Sequence, residues 1–535
     1  MGRNAAGDSF LNGYINYNTT SEFWIYCEDK AHAYSFASRT KSLGSNKKIN
    51  AVTAQTMDKL FDPGCFFMPS PEINDFAYKR TLFSNTGWSI CGIFHTTSSG
   101  KIMDSITESL IGPVFEWDAL ICPSKAIKTS VENLLDDHFD YLSDRLGATK
   151  KPKPQLPVIP IGINSKEFSF TERKKIDARE RLGIEKNSIA ILYVGRLSFH
   201  AKAHPLPMYV ALNNAAKRTS KKIYLIECGW FTNEGLRSAF EDAFNTLTNN
   251  VNRIVIDGRN QEEKFNAIAA SDIFCSLSDN IQETFGITPI EAMAAGLPVL
   301  ITDWNGYKES IEHGIHGFKV STTMPRGGAG TEIAKRYAMD LDDYNMYLGY
   351  TSSHVAVDIV QTTNYLSELI ENSALRKKLA NAASKRAKTY YDWETIIPVY
   401  EELWSELREI REKSNSEFFV KHRWPARPDP FRSFSHYPTT QLSVMDKVAF
   451  SFESEQLALA RFKELITLAM VSYAGELLPT KSQVQEIIHA ISLTADQTIS
   501  IGELVNQKRG EEDTLLAVSW LLKVGLLIHT TPEEK

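Results

Sequence analysis

At 535 residues the chain is too long for one hydrophobic core, and at about 100–200 residues per domain it should hold two to four. Apolar residues at 43% and charged residues at 23% exclude disordered, collagen-like and coiled-coil classes. The balance of 59 Lys/Arg against 65 Asp/Glu, a net of −6, excludes a generally basic surface for nucleic acid or anionic lipid and leaves room only for local basic pockets. Six cysteines (Cys27, Cys65, Cys91, Cys122, Cys228, Cys275) show neither CxxC nor Cys/His spacing, which points to reduced thiols in a cytosolic setting and to no metal site. No apolar run reaches the roughly 18 residues of a membrane helix, and the N-terminus lacks a signal pattern, so a soluble, cytoplasmic protein is expected.

Along the chain, Phe23–Cys27, Ser89–Phe94 and Ala119–Cys122 read as strands buried on both faces, with helical patterns at Lys101–Leu110 and Ser130–Leu146 between or after them. This alternation predicts a parallel sheet covered by helices, a Rossmann-like domain over 1–165. Thr149–Pro157, rich in Lys and Pro, reads as a hinge. A second Rossmann-like domain, 166–390, follows with strands at Ala190–Val194, Ile223–Ile226, Arg253–Ile256, Ile273–Cys275 and Pro298–Ile301. Two such halves predict an α/β protein with a ligand cleft between them, at the C-terminal ends of the strands. Residues 321–350 read as an irregular inserted loop. Helices resume near 354–389, and Trp393–Glu412 is a long amphipathic helix that closes the unit (391–412). Residues 413–445 read as an aromatic-rich linker. The last segment, 446–535, reads as a small, mainly helical, winged-helix-like domain: helical over 453–492, at Ile501–Gln507 and at Thr514–Leu522, then a strand Leu526–His529. Its 8 Lys/Arg against 13 Asp/Glu, a net of −5, is the wrong sign for DNA and fits a protein-interaction, oligomerisation or docking module.

Two stretches carry chemistry. In Glu283-Thr-Phe-Gly-Ile-Thr-Pro-Ile-Glu291, Thr288 reads as an N-cap, Pro289 suits a first helical turn and Gly296 can end the helix. The loop before such a helix offers free N–H groups and a positive dipole end, a cradle for phosphate. Thr288-x-x-Glu291 also spells a capping box, which explains Glu291 without a ligand but leaves Glu283 and Gly286 unexplained. In Val194-Gly-Arg-Leu-Ser-Phe-His-Ala-Lys202, a strand ends at Gly195 and two cations follow; in a cleft, Arg196 and Lys202 can neutralise a departing diphosphate, and otherwise they are surface charges.

Together with Val158–Asn164, Ala294–Val299, Asp303–Glu309 and the Tyr391–Tyr400 helix, these stretches resemble the family 4 glycosyltransferases of the GT-B fold over about 85–405, most strongly over 190–320. The resemblance implies a retaining, metal-independent transfer of a sugar from a nucleoside diphosphate sugar to an unidentified glycan, lipid or protein acceptor, with no cofactor. It implies that Arg196 and Lys202 bind the diphosphate and that Glu283 meets hydroxyls of the transferred sugar. Gly195 ends the strand of the donor site. Glu291 would meet the ribose, and the N–H groups around Gly286, Ile287 and Thr288 would hold phosphate. His95, at the end of strand Ile93–His95, matches a histidine near the donor sugar, with an ordinary loop histidine as the alternative. Three departures stand out. The Arg196–Lys202 spacing is one residue longer than the commonest form, and Asn305 replaces the first glycine of a Gly-Gly pair. Met1–Asp8 starts within what would be the acceptor loop (Gly2, Gly7), so the first strand is missing from this chain or that edge is built differently. Asp340-Leu-Asp342 spells DxD away from any strand end and reads as a solvated loop, and Gly327–Gly330 as a flexible one. Basic groups at 149–153 and 421–432 could touch a membrane surface but are usually just solvated. The competing reading is a non-catalytic GT-B scaffold acting as an adaptor through its C-terminal domain.

Overall fold

A computed structural model describes residues 2–414, 423–506 and 509–530. They fall into two compact units, 1–424 and 425–535. The first unit contains two α/β lobes. In the N-terminal lobe, Glu22–Tyr26 pairs in parallel with Lys48–Val52, and Cys65–Phe67, Ser89–Ile93 and Ala119–Ile121 form a parallel three-stranded sheet. Ser89–Ile93 is buried along its whole length, as expected of a central parallel strand with helices on both faces. Lys48–Val52 and Cys65–Phe67 are additional to the strands expected from sequence; each is short or partly exposed, so neither shows a continuous apolar run.

The second lobe has a six-stranded, all-parallel sheet in the order Gly317–Val320, Val299–Thr302, Ile273–Ser276, Ile189–Val194, Ile223–Gly229, Val251–Asp257. The order reverses between Ile273–Ser276 and Ile189–Val194, and the crevice outside the strand ends at such a reversal is where ligands bind in open α/β sheets. Both strands there are fully buried.

The expected N-terminal loop is instead a helix, Gly2–Tyr17, which carries both Gly2 and Gly7. It lies along the long helix Trp393–Lys413. Phe10 meets Phe67, Trp393 and Tyr400 with ring centroids 4.9–5.6 Å apart, and Trp393 Nε1 donates to Ser9 Oγ at 2.8 Å. Gly13 is required here, since a Cβ would lie 2.5 Å from Trp393 Cγ. Ile163 N donates to Tyr391 O at 2.8 Å, and Trp393 N to Ile163 O at 3.0 Å, pinning the start of the long helix to the crossover between lobes. Fully buried aromatic side chains such as Trp393 and Tyr400 contribute about 1.5–3 kcal/mol each, which makes this seam a principal fastening of the lobe.

The inserted segment is not irregular. It holds strand Thr322–Thr323 and helices Thr331–Ala338 and Tyr344–Ser352. Gly330 sits at the N-cap of the first helix, so the glycine-rich run leads directly into regular structure. Asp342 is buried against Arg336, which donates to both its oxygens at 2.7 and 2.9 Å, while Asp340 and Leu341 of the DxD run stay exposed in the turn between the two helices. Ion pairing with Arg336 holds the Asp342 carboxyl below the usual range.

The second unit contains a three-stranded antiparallel sheet, Thr498–Ser500, Lys447–Phe450, Leu527–Thr530, with helices Glu455–Leu465, Lys481–Ser492 and Glu511–Lys523. The helix expected at Ile501–Gln507 is a single tight turn, Ile501–Leu504; Gln507 lies outside the described residues. Val448, Ile487, Ile488, Val518 and Leu521 form its core. No helix among the described residues is long and apolar enough to cross a membrane.

Candidate functional site

Strand Ile189–Val194 ends in the buried core and hands the chain to Gly195, whose N–H donates to Cys228 O at 3.0 Å. Arg196 then turns toward the cleft. Its Nη2 donates to Ala201 O at 2.8 Å and to Gln282 Oε1 at 3.2 Å. Lys202, at the far end of the same loop, donates through Nζ to Glu283 Oε2. Glu283 is buried, and Lys202 is its ion-pair partner. Arg196 and Lys202 are therefore held by consecutive residues of one loop, Gln282 and Glu283.

From strand Ile273–Ser276 the chain passes through Ser278, Asp279 and Asn280, all buried, to Glu283 and Gly286. Asn280 organises this turn: its Nδ2 donates to His200 O at 3.0 Å, its Oδ1 accepts from Gln282 N at 2.9 Å, and its carbonyl accepts from Trp304 Nε1 at 3.0 Å. Burial pushes the Asp279 carboxyl up to about 7 even though His204 N donates to it at 3.3 Å.

The helix after Glu283 runs Ile287–Ala294, with Gly286 as its N-cap at φ 87°. The helix thus starts before Thr288, which is neither the N-cap nor part of a capping box: Glu291 pairs instead with Lys264, whose Nζ lies 2.7 Å from the carboxylate. The left-handed turn at Gly286 decides this, since it sets Ile287 as the first helical residue. Gly296, at φ 79°, follows the helix as expected. The N–H groups of Ile287 and Thr288 belong to the first turn and have no acceptor within the helix, and the positive dipole end lies at Gly286, on the loop that carries Glu283. Tyr307 underlies the turn, buried, with Oη 3.0 Å from Ser276 Oγ; burial raises its pKa well above the phenol range.

The N-terminal lobe meets this loop directly. His95 follows strand Ser89–Ile93, and its carbonyl accepts from Thr284 Oγ1 at 3.4 Å, next to Glu283. Ser124 Oγ donates to Thr284 O at 2.8 Å, and Glu309 Oε1 accepts from Lys125 N at 2.6 Å, at the start of helix Lys125–Leu146. Between the lobes lies a cavity of about 370 Å³ whose walls include Ser98, Met103, Ile127, Trp304, Lys308 and Tyr347. That is within the size range of small-molecule sites.

Residues 174–326 match the family of glycosyl transferases group 1. An Anabaena protein, HepE, solved in complex with UDP, superposes with a TM-score of 0.50 at 16% identity, over 75% of this chain and 96% of that one. A Rickettsia africae glycosyltransferase does so with a TM-score of 0.50 at 15% identity, over 75% and 94%. The fold is GT-B. Among curated relatives, an uncharacterized glycosyltransferase of Methanocaldococcus jannaschii is 27% identical over 176 residues, 32% of this chain and 43% of its own length. A D-inositol 3-phosphate glycosyltransferase of Corynebacterium urealyticum is 28% identical over 217 residues, 40% of this chain and 47% of its own length. The chain thus spans less than half the length of these two relatives.

Within this GT-B unit, Asn305 adopts φ 50°, and asparagine is the non-glycine residue that best tolerates that region. The adjacent Gly306 cannot be replaced so easily, because a Cβ there would lie 2.4 Å from Thr284 O. The longer Arg196–Lys202 loop still delivers Lys202 to Glu283. Sequence reading did not single out Gln282, Asp279, Lys264 or Tyr344. Lys264 was legible in principle, as a lone cation in a helix facing the Glu291 helix, but its distance in sequence hid the pairing. Of the basic groups at 149–153 and 421–432, Lys151 pairs with Asp136 and Arg423 donates to Leu82 O at 2.9 Å, while Lys421 lies outside the described residues. Among the described residues no group of three or more His, Cys, Asp or Glu is placed to hold a metal ion.

Proposed function

We propose that the protein is a retaining glycosyltransferase that moves a sugar from a nucleoside diphosphate sugar to a hydroxylated acceptor without a metal ion. The observation that supports this reading is that Arg196 and Lys202 bond to Gln282 and Glu283, on the loop that leads into the N-terminus of helix Ile287–Ala294. In this reading the bond between the anomeric carbon and the diphosphate breaks, the electron pair leaves with the diphosphate, and the two cations with the first-turn N–H groups of Ile287 and Thr288 meet the charge that develops. That positive charge does the work a divalent ion does elsewhere. Glu283 accepts hydroxyls of the transferred sugar, Glu291 those of the ribose, and His95 borders the sugar from the opposite lobe. The acceptor enters through the cavity walled by Ser98, Trp304 and Tyr347, and its oxygen forms the new bond on the face that the diphosphate leaves while its proton passes to the departing diphosphate oxygen. Uridine diphosphate sugars are the first donors to test, since the Anabaena protein of the same fold was solved with UDP. The second unit, acidic overall, is proposed as a docking module.

The test is thermal shift and donor hydrolysis with UDP-glucose, UDP-N-acetylglucosamine and GDP-mannose in chelator. We expect one donor to stabilise the wild type, Glu283→Gln and Lys202→Met to weaken that shift, and the released or transferred sugar to keep its anomeric configuration by NMR. A wild type indifferent to every donor would favour the scaffold reading.

A further inference from the structure

The inserted segment is braced like a tool. Arg336 and Asp342 lock the turn between its two helices, and Asp343 caps the second by accepting from Met346 N at 2.8 Å. Tyr337 and Tyr347 stack with centroids 4.4 Å apart and planes 12° from parallel. From this platform two phenols reach the N-terminal lobe. Tyr337 Oη accepts from Gly100 N at 2.9 Å. Tyr344 Oη lies 2.8 Å from Ser98 Oγ and 3.3 Å from Thr96 Oγ1, and it also accepts from Gln282 Nε2 at 3.3 Å. Gln282 in turn presents its amide oxygen to Arg196 Nη2 at 3.2 Å.

A second contact ties the same helix to the cation loop. Gly349 rests so closely on His200 that a Cβ there would lie 3.0 Å from His200 Cβ. The Tyr344 hydroxyl is thus an atom shared by both lobes, one bond away from the residue that holds the arginine. Separating the lobes must break its contacts to Ser98 and Thr96, and the loop that carries those two also carries His95.

We infer that Tyr344 is a positioning residue: its hydroxyl couples closure of the N-terminal lobe to the orientation of Arg196 through Gln282. The inference rests on the donor reading of Arg196. Other fastenings between the lobes, Ser124 to Thr284 and Glu309 to Lys125, remain when it is removed, so its loss disorients the arginine without unfolding the cleft.

Full-length Tyr344→Phe keeps the ring and deletes the shared oxygen. With UDP-glucose and GDP-mannose as probes and their hydrolysis as readout, kcat should fall about tenfold while KM changes less than about twofold, because the orientation of Arg196 matters most for the additional negative charge that develops as the bond breaks. Ser98→Ala should lower kcat too, and the double variant should fall less than the product of the two single losses. Tyr350→Phe, on the same helix, should keep wild-type values. Amide hydrogen exchange over 96–103, measured without any sugar nucleotide, should quicken in Tyr344→Phe and not in Tyr350→Phe. Wild-type kcat in Tyr344→Phe, or a raised KM at unchanged kcat, overturns the inference. If the wild type hydrolyses neither probe, the donor reading fails for those probes and the exchange arm decides alone: faster exchange supports the clasp and unchanged exchange overturns it.

Discussion

Replacing Gly286 by alanine tests the geometry of the turn that opens helix Ile287–Ala294 directly. The residue sits at φ 87°, where an L-residue costs about 1–2 kcal/mol. The new methyl would also lie 2.0 Å from Tyr307 Cε1 and 2.6 Å from Cδ1. Tyr307 cannot retreat easily, being buried with its hydroxyl against Ser276. Forcing ring and loop apart adds about 1–3 kcal/mol, so the full cost is about 2–5 kcal/mol. Gly296→Ala is the matched control. Its φ of 79° is nearly the same, yet nothing lies within 4 Å of the added methyl, so only the backbone cost of about 1–2 kcal/mol remains. Urea unfolding followed by tryptophan fluorescence reads mainly the first unit, where eight of the nine tryptophans lie. The difference between the two variants isolates the Tyr307 contact. Equal destabilisation by both would refute the turn geometry, and with it the placement of the Ile287 and Thr288 N–H groups.

Two further outcomes follow from buried charge. Arg80 is fully buried and donates to both oxygens of Asp118 at 2.6 and 2.7 Å, as well as to Trp88 O and Pro113 O; Arg80→Ala should cost about 3–5 kcal/mol in chemical denaturation, because the Asp118 carboxylate is left buried without its counter-charge. Asp279 is raised by burial from 3.8 to about 7, so the folded state holds a proton that the unfolded state releases. Its contribution is present below about pH 4 and is lost as pH rises toward 7. Asp279→Asn should flatten that slope of stability between pH 4 and 7 and should be more stable than wild type above pH 7; an unchanged slope would refute the buried carboxyl.

The parts of the fold legible in sequence were those written in local pattern. The strands show in sequence as the apolar runs Ala190–Val194, Ile223–Ile226 and Ile273–Cys275, and Gly195, Glu283 and Gly286 lie in the chain after the first and the last of these. What failed depended on contacts distant in sequence. Thr288 and Glu291 spell a capping box, but the left-handed Gly286 starts the helix earlier and Lys264 claims the glutamate. The 331–352 helices were hidden because the first has no buried residue, and acidic, Tyr-rich composition resembles a loop. Arg336–Asp342 pairing and tyrosine stacking brace them, beside the single buried leucine, Leu348, of the second helix.

The pairing of Lys202 with Glu283 has a consequence for how a donor would bind. A carboxylate this buried needs its counter-charge, because an unpaired ion in such a setting costs several kcal/mol. On the donor reading, an incoming diphosphate competes for the same ammonium, and Glu283 must then be compensated by something else. Sugar hydroxyls supply the donors. Phosphate binding and sugar binding are therefore not independent at this site: a nucleoside diphosphate alone draws Lys202 away and leaves Glu283 undercompensated, whereas the intact nucleotide sugar satisfies both. Glu283→Gln removes that conflict, so the variant should lose affinity for the whole donor while holding the bare diphosphate at least as tightly as wild type. Calorimetric titration with UDP and UDP-glucose separates the two, and an equal loss for both ligands would mean that the glutamate is not balanced between lysine and sugar.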